Sequence, residues 1–329
     1  MNAPDKNIPV ETIEKVFRYV VNRGFPYYQY TLKQKHDEIE KIKRYDLNKI
    51  IVDKTVRQTM HGLGLCWSYF NHSWSIRSKN FKTPKEVWDN EVLLRKAIER
   101  RLKRGGLSMI QENGHMTDAQ IRKAVKSFSG VQAVSNFRPT AAAAIYRKYS
   151  GSGIVWDMSA GFGGRLLGAI ISDAVKKYIA TDPSTKTSNG LVKMANELKP
   201  DKMEIEIFKI GSENFVPKEK VDLCFTSPPY YNTEEYSNEA TQSYKSYNTI
   251  DSWNEKFLKK TIANTGKCLK KNGFLILNIA NVNTHSNLEQ DTVSIAKEEK
   301  FLLVDTLKMQ LSAVSSGYKI EPIFIFKKE

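Results

Sequence analysis

Short apolar runs alternate with helical patterns along the C-terminal half of the chain. The runs that predict strands span residues 153–156, 178–182, 203–208, 221–225, 274–279, 301–307 and 322–326. Between the first five lie helical patterns, including one from 253 to 270 that we expect to end at Lys271-Asn272-Gly273. Strands that alternate with helices predict an α/β protein with an open, mostly parallel sheet.

The N-terminal half contains two clear helix signals. Thr83-Pro84-Lys85-Glu86 combines an N-cap, a first-turn proline and a capping glutamate, and Gly105-Gly106 ends the pattern. A second helix is expected to begin at Thr117. The sequence contains no internal repeat and no low-complexity linker, and we place the domain boundary near Ser129-Gly130. The predicted domains are therefore residues 1–130, mainly helical, and residues 131–329.

The tetrad Ser227-Pro228-Pro229-Tyr230 directly follows the strand predicted at 221–225. Two prolines fix φ and remove two backbone donors, so the carbonyl groups of this turn face outward without a ladder partner. Such acceptors suit an exocyclic amine, and the ring of Tyr230 offers a face on which a base can stack. The alternative is an ordinary turn that carries an aromatic residue.

A glycine turn follows the first of these strands. Asp157 is followed by Gly161 and Gly163 and then by a helical pattern, which is the order strand, turn, helix. Glycines there permit positive φ and close approach of a ligand, although the spacing is not that of the dinucleotide fingerprint or of a phosphate loop. The next strand ends in Asp182, where folds of this kind grip ribose hydroxyls. Together these signals predict a nucleotide-type cofactor site.

Composition excludes several other classes of protein. The longest apolar run is far below the ~18 residues needed to span a membrane, and the start Met1–Lys6 has no hydrophobic stretch of the signal-peptide type. The three cysteines and five histidines are scattered, without metal-ligand spacing. We therefore expect no membrane association, no metal and an intracellular, cytoplasmic protein of bacterial or phage-like type.

Positive charge is concentrated in the N-terminal half. Through Ser150 there are 28 Lys and Arg against 14 Asp and Glu, whereas the rest of the chain has 23 against 22. Lys and Arg that neutralise phosphates give sequence-independent affinity for nucleic acid, so this half is predicted to bind a polyanion. The alternative is a basic surface without a partner.

These motifs resemble, in order, those of S-adenosylmethionine-dependent DNA methyltransferases that modify exocyclic amino groups. The resemblance covers roughly residues 136–327 and rests on the positions Asp157, Gly161, Gly163, Asp182 and Thr226-Ser227-Pro228-Pro229-Tyr230. In addition, the segment containing Phe137, Arg138 and Pro139 looks like the one that closes over the methionine end of the cofactor. Ser212 and Glu213 sit where the family often places an acid near the adenine.

The resemblance implies a fold, a cofactor and a reaction. The fold would be the class I methyltransferase, Rossmann-like, with a seven-stranded mostly parallel sheet whose last two strands form an edge hairpin, preceded by the basic helical domain. The cofactor would be S-adenosyl-L-methionine, and the partner nucleic acid, most naturally DNA. Ser227 and Pro228 would accept from the amine, Pro229 would fix the turn and Tyr230 would stack on a flipped base.

Serine at the first tetrad position, preceded by threonine, looks more like the N4-cytosine enzymes, whereas aspartate looks like the N6-adenine enzymes. Two other interpretations stay open. One is an RNA or other nucleic-acid amine methyltransferase of the same fold, and the other is a non-catalytic nucleic-acid-binding protein with a decayed methyltransferase domain. The sequence leaves the oligomeric state and the recognition sequence open.

Overall fold

The computed structural model describes residues 8–57, 59–111, 114–314 and 317–328. The start Met1–Lys6, on which the expectation of no signal segment rests, lies outside the described residues. Along the described parts of the chain, every helix is too short or too polar to cross a lipid bilayer.

Helices and strands alternate through the chain. The helices are α1 (Val10–Arg23), α2 (Leu32–Lys43), α3 (Leu63–Trp67), α4 (Pro84–Asp89), α5 (Glu91–Gly105), α6 (Asp118–Lys126), α7 (Pro139–Tyr149), α8 (Gly164–Ser172), α9 (Thr185–Leu198), α10 (Ser243–Ser246), α11 (Ile250–Trp253), α12 (Lys260–Cys268) and α13 (Leu288–Glu298). The strands are β1 (Ile51–Val52), β2 (Thr55–Val56), β3 (Arg77–Ser78), β4 (Ile154–Asp157), β5 (Lys177–Thr181), β6 (Glu204–Phe208), β7 (Val221–Thr226), β8 (Glu234–Glu235), β9 (Leu269–Asn278), β10 (Phe301–Val314) and β11 (Gly317–Lys328).

The chain forms two compact units, each built from two stretches of sequence. The smaller unit comprises residues 1–28 and 71–135, and the larger comprises residues 29–70 and 136–329. The predicted division at residue 130 instead groups residues 29–70 with the N-terminal part. In the structure this stretch supplies β1 and β2 to the sheet of the larger unit, and Lys35 of α2 lies 2.5 Å from Glu197 of α9.

The smaller unit is helical around its own core. Buried side chains of α1, α5 and α6 meet there, and Trp74 joins them. The helix predicted from residue 83 is two helices, α4 and α5, because Asn90 interrupts it. The Oδ1 of Asn90 accepts a hydrogen bond from the N–H of Leu93 at 3.0 Å and so caps α5.

A nine-stranded sheet, counted over the described residues, forms the centre of the larger unit, in the order β1-β2-β10-β11-β9-β7-β4-β5-β6. Neighbouring strands are parallel to each other along one side of this sheet, from β9 through β7, β4 and β5 to β6. β11 is antiparallel to both β9 and β10. β4 and β7 are almost wholly buried apolar runs, as expected for parallel strands covered on both faces. The predicted mostly parallel α/β sheet with a hairpin of its last two strands is thus confirmed. The sheet has nine strands rather than the expected seven, because β2 pairs with β10, and β1 and β2 rather than the hairpin form this edge.

Two details of the sheet differ from the sequence prediction. The helix expected to reach Lys270 ends at Cys268, and a π-helical segment, Asn254–Lys259, lies within it. Residues 271–273 belong to β9, because Leu269 already pairs with Val221 and the ladder shifts register before Phe274. β10 and β11 are also several residues longer than predicted, and β1 and β2 were not predicted at all.

Candidate active site

The carboxyl ends of four parallel strands meet at one edge of this sheet. β4 ends at Asp157, β5 ends just before Asp182, and β7 ends just before Ser227. Ser212 lies in the loop after β6. Because these strands are parallel, the predicted site residues lie at the same edge, which is where ligands bind in open α/β sheets.

The glycine turn lies between β4 and α8. Gly161 and Gly163 have φ values of 56° and 71°, in the left-handed region that favours glycine. The Nδ2 of Asn136 donates to the carbonyl oxygen of Phe162 at 2.9 Å. A Cβ atom on Gly164 would lie 2.1 Å from the carbonyl oxygen of Phe137. The segment before Pro139, the first residue of α7, therefore packs directly against the turn.

Asp157 is the centre of a buried polar network. Its Oδ2 accepts from the Nε of Arg165 at 2.8 Å and from the hydroxyl of Tyr178 at 2.6 Å. Its Oδ1 accepts from the hydroxyl of Thr226 at 3.0 Å and from the N–H of Ser159 at 3.3 Å. Both carboxylate oxygens are thus occupied by protein donors. The network ties the glycine turn to the residue that precedes Ser227.

Arg165 and Thr226 are site residues whose roles the sequence prediction missed. Arg165 also donates to the carbonyl oxygen of Ser159. Burial opposes its charge, but the carboxylate of Asp157 raises the pKa of Arg165 above its ordinary value. The one available signal was an arginine at the start of an otherwise apolar helix, since every residue of α8 is buried.

Asp182 also holds the glycine turn in place. One carboxylate oxygen accepts from the N–H of Gly161 and the other from the N–H of Ser184, both at 3.0 Å. Burial raises the pKa of Asp182 to about 6, against the effect of these two backbone hydrogen bonds. A carboxyl group that titrates near neutrality therefore lies beside the turn.

Ser212 and Glu213 have different surroundings. Ser212 is buried, its hydroxyl lies 2.9 Å from that of Thr261, and its carbonyl oxygen accepts from Asn264 at 3.1 Å. The Oε2 of Glu213 is buried and, among the described residues, has no hydrogen-bond partner. Burial raises the pKa of Glu213.

The tetrad at the end of β7 is anchored to two other strands. The hydroxyl of Tyr230 lies 3.2 Å from Oε2 of Glu321 on β11 and 3.3 Å from the carbonyl oxygen of Asn278 on β9. Burial and then the charge of Glu321 raise the pKa of Tyr230, while the side chain of Ser227 acts in the opposite direction. Burial also raises the pKa of Glu321. No local pattern in the sequence marks Glu321, which lies 91 positions after Tyr230.

The loop of residues 231–247 extends from the tetrad to the segment that follows Asp182. Tyr231 has φ 54°, a left-handed conformation that costs a non-glycine residue roughly 1–2 kcal/mol. Its hydroxyl donates to the carbonyl oxygen of Asn248 at 2.6 Å. Further along, Glu239 accepts from the N–H of Thr185 at 3.0 Å, directly after the Asp182 turn. The loop is therefore closed by a hydrogen bond between its two ends and held at its middle.

Two of the predicted cofactor-binding residues have a buried polar atom that lacks a protein partner among the described residues. These atoms are the Nε of Arg138 and the Oε2 of Glu213. Burial lowers the pKa of Arg138, as expected for a cation without an anionic partner. An amino-acid carboxylate and an exocyclic amine are the groups that would complement these atoms. A ligand with both groups fits the residues present.

The strand order, with β11 antiparallel between β9 and β10, and the glycine turn at the carboxyl edge are those of the class I methyltransferase fold. Within this class, residues 221–329 match the N6_N4_Mtase family model, described as DNA methylase. The resemblance to amino-methyltransferases of the N4-cytosine or N6-adenine type is thereby confirmed for that part of the chain.

Solved structures of other methyltransferases are similar to part of the chain. The N-methyltransferase NodS of Bradyrhizobium japonicum is 13% identical, with a TM-score of 0.40 over 56% of this chain and 93% of its own. An O-methyltransferase of Thermotoga maritima is 12% identical, with a TM-score of 0.41 over 59% and 67%. Magnesium protoporphyrin IX methyltransferase of Synechocystis, solved with bound S-adenosylmethionine, is 13% identical, with a TM-score of 0.38 over 60% and 86%. No curated protein sequence matches the chain.

Proposed function

We propose that this protein is a DNA methyltransferase that methylates an exocyclic amino group, with N4 of cytosine favoured over N6 of adenine. The observation that carries the proposal is the hydrogen bond of 3.0 Å between Thr226 and Asp157. It joins the strand end that bears Ser227 to the glycine turn, so that a methyl donor and an acceptor base can share one edge.

The cofactor would be held by residues on both sides of the glycine turn. Asp182 would accept from the ribose hydroxyls, Arg138 would pair with the carboxylate of the methionine end, and Glu213 would accept from the adenine amine. The turn at Gly161 and Gly163 would let the cofactor approach the backbone. Asp157 would act indirectly, by holding the glycine turn in place. Its carboxylate already accepts hydrogen bonds from four protein groups, those of Arg165, Tyr178, Thr226 and Ser159.

The bound cofactor would supply a sulfonium methyl group, which passes to the amine nitrogen while S-adenosylhomocysteine and a proton are released. An exocyclic amine is a weak nucleophile, because its lone pair is delocalised into the ring. The Ser227 hydroxyl and the Pro228 carbonyl would accept its hydrogens and pull the nitrogen towards tetrahedral geometry, and Pro229 would keep the turn rigid. Tyr230, tethered to Glu321, would present its ring to the flipped base.

Support for cytosine comes from the tetrad itself. Threonine and serine at positions 226 and 227 are the residues by which the tetrad resembles N4-cytosine enzymes. Methylation at carbon 5 would require a cysteine nucleophile in a Pro-Cys setting, and the sequence has no Pro-Cys dipeptide.

Substitution at the tetrad tests the assignment of roles. We expect Ser227→Ala and Tyr230→Ala to lower methyl transfer by about 10²–10³-fold, because acceptor geometry and stacking are lost. Calorimetric binding of S-adenosylmethionine should be retained. Tyr230→Phe is the matched control, since it keeps the ring and removes only the hydroxyl with its contacts to Glu321 and Asn278. A fully active Tyr230→Ala enzyme would refute the stacking role.

The substrate is tested by methyl incorporation into duplex DNA, single-stranded DNA and RNA side by side. Mass spectrometry of the nucleosides then separates N4-methylcytosine from N6-methyladenine. Expression in a methylation-free bacterium with long-read sequencing maps the modified sites. If methyl groups are incorporated into RNA alone, RNA replaces DNA as the proposed substrate. Salt-sensitive DNA binding without any S-adenosylmethionine binding would point to a decayed domain instead.

A further inference from the structure

β10 and β11 extend well past the carboxyl edge of the sheet. Asn278, the last residue of β9, pairs with Ile323 of β11, so the part of β11 before Ile323 lies beyond β9. On the other side, β2 pairs only with Lys308 and Met309 of β10. Beyond these positions no other strand borders the hairpin in the part of the chain that the structure describes. What protrudes is a two-stranded ribbon formed by residues 310–314 of β10 and 317–320 of β11.

The ribbon begins at the candidate active site. Glu321, at its base, is the residue whose Oε2 lies 3.2 Å from the Tyr230 hydroxyl. Gly317 lies four positions before Glu321, which at ~3.3 Å per residue is a protrusion of about 13 Å. The ribbon therefore rises from the level of the Ser227–Tyr230 turn by more than the depth of the major groove of B-DNA, about 8.5 Å.

The two faces of the ribbon differ in chemistry. Lys319 and Glu321 share one face, since successive side chains alternate, and Lys319 Nζ lies 3.9 Å from Glu321 Oε1. Tyr318 and Ile320 lie on the other face and are 50% and 48% exposed. From Lys308 to Ile320 the sequence contains two lysines and no carboxylate. Of these two lysines only Lys319 lies within the ribbon, which has no acidic residue of its own, so the ribbon itself offers one cation and no repelling charge to a polyanion.

We propose that this ribbon enters the major groove of a DNA duplex whose flipped base occupies the turn at Ser227–Tyr230. The inference rests on the proposed function and assigns base-pair readout to a segment outside the basic N-terminal half. The major groove of B-DNA, about 12 Å wide, admits a two-stranded β-ribbon. The major groove of an A-form RNA helix is too narrow for one, so the ribbon favours DNA over an RNA duplex. Tyr318 and Ile320 contact base edges, and Lys319 contacts a phosphate.

The test compares two double variants of the same hairpin. The ribbon variant is Tyr318→Ala with Ile320→Ser. The control is Leu302→Ser with Val304→Ser, which removes two apolar side chains of similar exposure, 55% and 44%, from the opposite end of the hairpin. Binding is measured by fluorescence anisotropy with a labelled DNA duplex and with an RNA duplex, both in the Ser227→Ala background. Calorimetry with S-adenosylmethionine checks that each variant is folded.

The ribbon variant should lose at least about tenfold in affinity for the DNA duplex, with cofactor binding unchanged and the control within about twofold of the parent. Lys319→Gln should lower the slope of log K against log salt concentration by about 0.9. Equal DNA affinity of the ribbon and control variants would overturn the inference. An equal loss on the RNA duplex, or conversion of a dimer to a monomer with DNA binding intact, would overturn it too.

The outcome separates this inference from the proposed function. If the parent enzyme transfers no methyl group to any nucleic acid but binds duplex DNA through the ribbon, the proposed function fails and the inference stands. If the parent methylates DNA and the ribbon variant binds like the control, only the inference fails. A parent that binds no DNA duplex would refute the inference directly.

Discussion

Asp157 and Arg165 form an ion pair almost without contact with solvent, at 2.8 Å and with side chains 1% and 5% exposed. Such a pair is tolerated only when the remaining polar positions are also satisfied, and here Tyr178, Thr226 and Ser159 satisfy them. The network thus stabilises two loops at once, and a change in it reaches both the glycine turn and the tetrad.

Breaking this pair should be strongly destabilising. We expect Arg165→Met to lower the free energy of unfolding by about 3–5 kcal/mol, because the carboxylate of Asp157 would remain buried without its cation. Urea unfolding measures the change. The control is Lys54→Met, which removes the 2.6 Å pair with Asp305 where Lys54 is 66% exposed, and we expect a loss of at most about 1 kcal/mol. Equal losses for the two variants would contradict the role of the network.

Asp182 should make stability depend on pH in the opposite sense from an ordinary salt-bridged acid. Its pKa rises from 3.8 to about 6 in the folded protein, so between these values the folded state holds a proton that the unfolded state has released. The free energy of unfolding should therefore fall as pH rises from 4 to 6, by at most about 3 kcal/mol. Asp182→Asn should remove this component, as urea unfolding at several pH values would reveal. Parallel pH profiles for the two proteins would show that Asp182 does not titrate in this range.

At the scale of elements, the loop of residues 231–247 connects the tetrad with the glycine turn and with the segment after Asp182. Burial alone would raise the pKa of Glu239, but hydrogen bonds from Thr185 and Ser237 hold this pKa below its ordinary value. The ring of Tyr236 lies 6.3 Å from that of Phe162 in the glycine turn. The loop therefore lies over the turn, where a cofactor would be enclosed.

Weakening the anchor at Glu239 should loosen this loop. Glu239→Gln keeps one acceptor but removes the charge, and a charge-assisted hydrogen bond contributes about 1.5–3 kcal/mol before solvent screening. We expect amide hydrogen exchange in residues 231–247 to become about tenfold faster, and the dissociation rate of S-adenosylmethionine to rise. Glu235→Gln, at an exposed position of the same loop, is the control. Unchanged exchange in the Glu239 variant would show that other contacts hold the loop.

At the scale of the whole molecule, the net positive charge is denser in the smaller of the two compact units. The smaller unit has 17 Lys and Arg against 9 Asp and Glu within 93 residues, and the larger has 34 against 27 within 236. Net positive charge per residue is therefore about three times higher in the smaller unit. Part of it lies in α5, where Lys96, Arg100 and Arg104 are exposed at intervals of four residues and take part in none of the ion pairs found among the described residues.

This stripe of α5 should contribute to nucleic-acid affinity through counterion release. We expect the triple variant Lys96→Gln, Arg100→Gln, Arg104→Gln to lower the salt slope of duplex DNA binding by about 2.7, that is about 0.9 for each phosphate that is no longer neutralised. Anisotropy titrations over a series of salt concentrations measure the slope.

The control has the same loss of net charge. Arg18, Arg77 and Lys85 are bound to Glu14, Glu86 and Asp89 in the structure, and their replacement by Gln removes three cations that are already paired. A smaller change in slope is expected for this variant. If both triple variants shift the slope equally, net charge alone governs binding and the stripe has no special role.

Local patterns were enough to predict most of the fold. Continuous apolar runs such as the one ending at Thr226, separated by helical periods, identify buried parallel strands whatever their neighbours are. Parallel strands bring their carboxyl ends together, so the meeting of Asp157, Asp182 and Ser227 at one edge followed from the sequence as well. The break at Asn90 was missed because the capping signal at Thr83 is compatible with one long helix.

By itself, the sequence determined the class of sheet, the glycine turn and the rigid tetrad, because each depends on residues close together in the chain. Only the tertiary structure decided that residues 29–70 complete the larger unit, that Thr226 and Arg165 close around Asp157, and that Glu321 meets Tyr230 at the base of a protruding ribbon. The hydrogen bonds join positions from 8 to 91 residues apart. The placement of residues 29–70 depends on the packing of that whole segment. Periodicity fixes which face of an element is buried, whereas the partner across that face depends on how all the elements pack together.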